Sequence, residues 1–114
     1  MQLEEEIKRI IELNKALGDG VRLAIMLYLQ IKGKAGFTEL ASGLGISPGR
    51  LAHHLDILER LNYVVVSRSW DDLRRRTIRP TSKGLDALKK YLSHIRALMG
   101  ANRVFEACYE RHKG

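Results

Sequence analysis

Two short apolar segments separated by a glycine turn place the strongest constraint on how this chain folds. The first, residues 39–44, follows Thr38, which we predict to be its helix N-cap, and it ends at Gly45. Ser47-Pro48 then restarts a helix, because serine caps a helix and proline fits its first turn without an amide donor. The second helix, residues 48–61, carries a leucine side made of Leu51, Leu55, Leu58 and Leu61.

Two further helices are predicted before this pair. Apolar residues recur at helical spacing over residues 2–17, which predicts an amphipathic helix that Gly18 ends. Residues 21–32 are almost continuously apolar and form a run too long for an ordinary strand. We therefore predict a helix there that is buried on most sides and ends at Gly33.

The apolar period changes after Asn62, where a short β-hairpin is predicted. Residues 63–66 are β-branched and aromatic, and residues 75–79 alternate basic residues with threonine and isoleucine. A last helix follows Thr81, its predicted N-cap, and its apolar residues recur every three or four positions. That seam, which implies a partner helix, consists of Leu85, Leu88, Leu92, Ile95 and Met99.

This order of elements predicts the fold class. A short helix joined by a glycine turn to a second helix with a polar outer face is a helix-turn-helix. A hairpin directly after the second helix makes it winged. The expected architecture is therefore mainly α with a small β-hairpin wing, a single domain over residues 1–114, with the helix-turn-helix at 38–61 and the wing at 63–80.

The composition is that of one soluble domain. The chain has 114 residues, and its longest uncharged apolar stretch, residues 23–31, is far shorter than the roughly 20 residues that span a bilayer. A single cysteine, Cys108, allows neither an internal disulfide nor a cysteine-based zinc site. We expect a cytoplasmic protein with no membrane partner, no metal and no cofactor.

The charge is concentrated in the second half of the chain. The formal net charge is +7, and residues 46–83 hold eight basic and four acidic side chains, whereas residues 1–18 sum to −1 and residues 19–45 to +1. Arg74-Arg75-Arg76 is the densest basic point. A basic patch on a small domain attracts polyanions, so this distribution predicts binding to nucleic acid, here double-stranded DNA.

Three segments, which together cover most of residues 16–88, resemble the winged-helix core of the ArsR/MarR-type prokaryotic transcription regulators, and the small archaeal winged-helix regulators in particular. Residues 17–25 are similar to the segment upstream of that core, and residues 77–84 to the end of the wing. The central match lies at Phe37, Thr38, Leu40, Ala41, Leu44, Gly45, Ile46, Ser47, Pro48, Gly49, Leu51, His54, Leu55, Leu58, Tyr63 and Val64.

The sequence also departs from this family pattern. The thiolate metal box of many ArsR sensors would fall near residues 39–43, where there is no cysteine, and His94 has no second ligand set at the interval of the zinc sensors. Asn62 stands where the family usually has glycine, a mild change because asparagine tolerates a left-handed turn. The resemblance thus implies the fold and a DNA-binding role without naming an effector.

The predicted DNA contacts come from the second helix of the motif and from the wing. Arg50 is the best candidate for reading bases, since guanidinium pairs bidentately with guanine. His53 lies on the exposed side, while His54 lies nearer the leucines and could instead be buried. The full predicted set is Thr38, Ser47, Pro48, Gly49, Arg50, His53, His54, Arg68, Arg74, Arg75, Arg76 and Arg79.

We expect a homodimer formed through the first and last helices, residues 1–17 and 82–110. The predicted interface consists of Leu3, Ile7, Ile10, Leu85, Leu88, Leu92, Ile95 and Met99. The expected function is a sequence-specific transcriptional regulator, a repressor, with two alternatives. One is a ligand- or redox-responsive regulator of the same fold with an unknown small-molecule effector, and the other is a winged-helix module for protein–protein contact.

The sequence contains no recognisable catalytic set. There is no glycine-rich phosphate loop, no nucleophile elbow and no HExxH motif. We therefore expect no enzymatic activity.

Overall fold

A computed structural model describes residues 2–69 and 75–100 of the chain. Within those residues it contains five helices and three short strands. In chain order they are α1 (Gln2–Leu13), α2 (Gly20–Lys32), β1 (Ala35–Gly36), α3 (Phe37–Leu44), α4 (Pro48–Arg60), β2 (Val64–Arg68), β3 (Arg76–Pro80) and α5 (Ser82–Gly100). None of the described helices is long and apolar enough to cross a membrane.

The three strands form one antiparallel sheet in the order β1-β3-β2. Val66 lies opposite Ile78 in the β2–β3 pair, and Ala35 lies opposite Ile78 on the other side of β3. Val64 and Ile78 are buried whereas Val65 and Arg79 are exposed, so one face of the sheet packs on the helices and the other faces solvent. The predicted mainly α fold with a small β wing is confirmed.

One apolar core joins the helices and the inner sheet face. α2 supplies three buried residues at its centre, which explains why its sequence is apolar on most sides. α4 contributes a buried side as predicted, although Leu61 lies past its end and is 38% exposed. The largest fully buried side chains are Leu17, Ile25, Met26, Leu29, Leu40, Leu51, Leu58, Ile78 and Val64.

Two predicted local features are wrong. The first helix ends at Leu13, not at residue 17, because the Asn14 side chain accepts the Leu17 amide at 3.0 Å and closes a turn there. Thr38 is not an N-cap, since α3 already begins at Phe37 after Gly36. The predicted hairpin is confirmed as β2 and β3, and the two-residue β1, which was not predicted, adds a third strand to it.

Other predicted turns are confirmed. Gly33 ends α2 with φ 84°, and Asn62 has φ 63° in the turn after α4, the left-handed conformation that asparagine tolerates. Thr81 is the N-cap of α5, since its hydroxyl accepts the Gly84 amide at 2.9 Å and donates to the Asn62 carbonyl at 2.5 Å.

Gly84 lets α5 cross the start of the wing at close range. A Cβ atom at this position would lie 2.2 Å from the Tyr63 carbonyl oxygen and 2.9 Å from the Met26 methyl. The same Tyr63 carbonyl accepts the Thr81 amide at 3.0 Å, so the backbone cannot withdraw without breaking that bond. The beginning of α5 is therefore held directly against the chain that connects α4 to β2.

We expect Gly84→Ala to lower the free energy of unfolding by at least about 2 kcal/mol, because the added methyl overlaps a backbone oxygen. Gly49→Ala is the matched control, since nothing lies within 4 Å of a Cβ there and alanine favours a helix. Urea unfolding of both variants measures the difference. Equal stabilities would show that α5 and Tyr63 do not approach this closely.

Candidate nucleic-acid interface

The turn between α3 and α4 fixes the geometry of the helix pair. Gly45 adopts the left-handed conformation with φ 67°, and the Ile46 amide donates to the Ala41 carbonyl at 3.0 Å. Ser47 then caps α4, since its hydroxyl accepts the Arg50 amide at 3.2 Å and Pro48 follows at the first helical position. The predicted glycine turn and serine cap are both confirmed.

The first turns of α4 present an exposed polar face. Leu51 and Leu55 are buried on the opposite side of the helix. Arg60, at the far end, pairs with the Asp56 carboxylate one turn earlier. The exposed residues of this face that the sequence predicts as DNA contacts are Ser47, Pro48, Gly49, Arg50 and His53, and Thr38 is exposed at the start of α3.

His54 is not on this face. It is 7% exposed, and its Nδ1 lies 3.0 Å from the Arg22 Nη1 of α2. A guanidinium can only donate, so Nδ1 accepts and the imidazole is neutral with its proton on Nε2. The prediction that His54 contacts DNA therefore does not fit the fold, because leucine-side burial places this ring between α4 and α2.

Asp19 completes a small polar network at this junction. As the N-cap of α2, its carboxylate accepts the amides of Val21 at 2.9 Å and Arg22 at 3.1 Å. The Arg22 Nε in turn donates to the Ala16 carbonyl at 2.8 Å. Burial would raise the pKa of Asp19, but the Arg22 amide and the charge of Arg22 outweigh it and lower that pKa. The carboxylate is therefore ionised at neutral pH.

Burial lowers the pKa of His54. The nearby cations Arg22 and Arg50 act in the same direction, and the Asp19 carboxylate opposes them. Asp19 Oδ1 is 3.8 Å from Nδ1, too far for a hydrogen bond, so the neutral ring keeps its bond to Arg22. α4 is thereby tied to α2 by a directional contact that the sequence did not reveal.

The wing arginines are divided between two faces of the sheet. Arg68 lies opposite Arg76 in the β2–β3 register, and the Arg76 guanidinium stacks 3.8 Å from the centre of the Phe37 ring at the start of α3. Arg75 and Arg79 are exposed and line the outer face. Arg74, also a predicted contact, lies outside the described residues.

Two lysines that the sequence analysis did not select lie beside these arginines. Lys32 ends α2 and Lys34 precedes β1, and both line one groove with Arg75 and Arg79. In the sequence, two lysines on either side of Gly33 indicate this basic surface. They were not selected because residues 19–45 as a whole are nearly neutral. Among the described residues, no group of three or more His, Cys, Asp or Glu side chains is placed to hold a metal ion.

A helix-turn-helix followed by an antiparallel wing defines a winged helix-turn-helix protein. Residues 21–99 match the family model of the winged helix DNA-binding domain. The chain belongs to that family, as the resemblance had implied. A search of curated proteins found no match.

Solved structures of transcription regulators share the fold. The chain is 33% identical to a transcriptional regulator homologue from Pyrococcus horikoshii OT3, with a TM-score of 0.78 over 85% of this chain and 96% of that one. The Staphylococcus aureus MepR–DNA complex gives 14% identity and a TM-score of 0.73 over 98% and 90%. A cysteine-to-serine mutant of MarR from Escherichia coli gives 15% and 0.64 over 97% and 89%. The fold is thus MarR-like.

The state of His54 predicts how stability depends on pH. The unfolded histidine takes up a proton near pH 6.5, whereas the folded one does so at a lower pH. The unfolded chain therefore binds more protons below neutral pH, and stability falls as the pH drops from about 7 toward the folded pKa, then levels off. His54→Gln keeps a hydrogen-bond acceptor for Arg22 but cannot be protonated. We expect this variant to lose the part of the stability decrease between pH 7.5 and 5.5 that is due to His54.

Urea midpoints at the two pH values measure the effect. If His54→Gln retained the full wild-type dependence, the neutral, buried state of His54 would be wrong.

Proposed function

We propose that this protein is a sequence-specific transcriptional regulator that binds double-stranded DNA as a homodimer and acts as a repressor. The observation that carries the proposal is α4, a helix whose leucine side is buried and whose first turns expose a short polar face. An α-helix fits the major groove of B-DNA and reads bases from its N-terminal residues. A bound dimer represses by occupying promoter DNA that polymerase needs.

Arg50 is the residue that we assign to base reading. It follows the capped start of α4, and its side chain is exposed, so the guanidinium can reach a guanine edge. Gly49 beside it leaves room for close approach of the backbone. The wing arginines supply contacts to phosphate, which hold the protein on DNA without reading its sequence.

The structural relatives support this assignment. One relative with the same fold was solved as a MepR–DNA complex, and the relative that is 33% identical is a transcriptional regulator homologue. From these relatives we take only the general mode of binding, in which a winged helix contacts duplex DNA. The α4 residues of this chain would determine which operator sequence it binds.

α1 supports the homodimer. It is an amphipathic helix of 12 residues in which none is buried, and it packs on α5. Leu3 is 54% and Ile7 51% exposed, and Ile11, which the predicted interface omitted, is 71% exposed. A helix this short is marginal in water without tertiary packing, so its apolar side requires a partner.

The exposed apolar residues of α5 extend the proposed interface. Leu92 is 37% and Met99 50% exposed, while Ile10, Leu85 and Ile95 are partly buried. Leu88 is the exception, because it is 2% exposed within the protomer core and has no surface to offer a partner. A two-fold dimer would place two α4 helices about 34–36 Å apart on a pseudo-palindromic site.

We expect Arg50→Ala to relax sequence preference at the bases under α4, with a loss of roughly 1–3 kcal/mol of discrimination at that position. Binding-site selection from a random duplex library measures this preference. Arg60→Ala, which removes an exposed arginine at the other end of α4, should leave preference unchanged. An unchanged selected site in Arg50→Ala would contradict the assignment of α4 to the major groove.

We expect Ile7→Glu to weaken the dimer by at least about 100-fold, because dimerisation would bury an unpaired carboxylate. Light scattering across a dilution series measures the dissociation. Ile31→Glu is the matched control, since Ile31 is 77% exposed at the end of α2, outside the proposed interface. An Ile7→Glu protein as dimeric as the wild type would exclude α1 from the interface.

A further inference from the structure

A basic groove of about 700 Å³ lies on the outer face of the wing sheet. We refer to it as the outer-sheet groove. Its walls come from the end of α2, from β1, from the start of α3 and from the solvent faces of β2 and β3. The cations that line it are Lys32, Lys34, Arg75 and Arg79, together with Arg68, which lies at the end of β2 and has the register of the inner face.

Glu39 is the one carboxylate among the described residues that line the groove, and it is already engaged. Its Oε2 accepts the Tyr28 hydroxyl at 2.7 Å and its Oε1 accepts the Gly36 amide at 3.2 Å. The hydrogen bond from Tyr28 lowers the pKa of Glu39, so this charge stays fixed at the wall.

Within residues 2–69 and 75–100, no carboxylate lies within ion-pair distance of Lys32, Lys34 or Arg79, although the charge of Lys32 acts at longer range on Glu39. All three side chains are exposed. A concave surface lined by several cations, with a single carboxylate that is already hydrogen-bonded, concentrates positive potential and attracts a polyanion. The groove is therefore complementary in charge to a chain of phosphates.

The outer-sheet groove is separate from the face of α4. The inner sheet face, with Val64 and Ile78, packs on the core, whereas the groove uses the opposite face with Ser67, Thr77 and Arg79. None of the exposed α4 residues lines it. Ser69 and Arg75 lie at one end of the β2–β3 pair, and Lys32 and Lys34 lie toward the other end of β3, so the groove follows the length of β3.

We propose that the outer-sheet groove binds the phosphate backbone of duplex DNA that flanks the sequence read by α4. This inference rests on the proposed function and adds to it a second contact region, built around Lys32 and Lys34. Duplex DNA presents about one negative charge per 1.7 Å of its axis, so a flank beside the wing offers several phosphates to these lysines. The contact would lengthen the bound segment without adding base recognition.

The test compares two duplexes made from the site that random-library selection yields. The core duplex ends at the last selected base pair, and the extended duplex carries ten further base pairs of mixed sequence at each end. We expect the wild type to bind the extended duplex more tightly and with a steeper dependence on salt. In Lys32→Gln/Lys34→Gln the dimer loses two lysines at each end of the extended duplex, so the log–log salt slope should fall by about four units, and affinity by roughly 1,000- to 10,000-fold near 0.1 M salt.

The matched control is Lys83→Gln/Lys90→Gln, which removes the same charge from two exposed lysines on the side of α5 opposite Leu92 and should change neither duplex. The wild type could select a site yet bind both duplexes equally, with no effect of the groove variant. That result would overturn the groove contact while leaving the proposed function intact. Equal losses in the two lysine pairs, or an equal loss on core and extended duplexes, would also overturn it. Failure of the wild type to select any site would instead contradict the proposed function.

Discussion

The hydrogen bond between Arg22 and the buried His54 is the contact on which the orientation of α4 depends. Leucines on one side of a helix hold it against a core, but apolar packing tolerates small rotations because it is not directional. A guanidinium donor 3.0 Å from a ring nitrogen is directional, and Arg22 is itself held by the Ala16 carbonyl. Fixing His54 inward turns its exposed neighbours outward, so the polar face of α4 is set by a residue that cannot reach DNA.

A second junction transmits this orientation to the rest of the molecule. After α4 the chain turns at Asn62, and the Tyr63 carbonyl accepts the Thr81 amide at the start of α5. Gly84 allows the two segments to touch at a distance that any side chain would prevent. α5 therefore has its direction fixed relative to α4 at its first turn. In a dimer built on α1 and α5, the spacing of the two α4 helices would follow from this single crossing.

The sequence predicted the features that depend on neighbouring residues and missed those that depend on distant ones. Ser47, Gly45 and Thr81 act where they were predicted, because a cap or a left-handed turn needs only a few adjacent residues. Thr38 failed as a cap because the helix begins two residues earlier, at Phe37 after Gly36, where Glu39 accepts the Gly36 amide. His54 was included among the DNA contacts although its place near the leucines already indicated burial. Leu88 was assigned to the dimer interface because helical spacing gives the side of a helix and not what covers that side. β1 has two residues and no periodicity at all, so nothing local predicted it.

The basic residues of the second half do not form one uniform surface, although their sum alone suggested it. Arg76 is held over the Phe37 ring, where it ties β3 to the start of α3 and serves the fold as much as any ligand. Arg50 stands at the start of α4, and Arg79 lies with two lysines from an almost neutral part of the sequence on the outer sheet face. The sheet thus brings together basic residues that are distant in sequence. The alternation of side chains along a strand places adjacent arginines on opposite faces. Under the proposed function, the short exposed face of α4 would contact only a few bases, and the cations of the sheet would bind phosphate without reading the sequence.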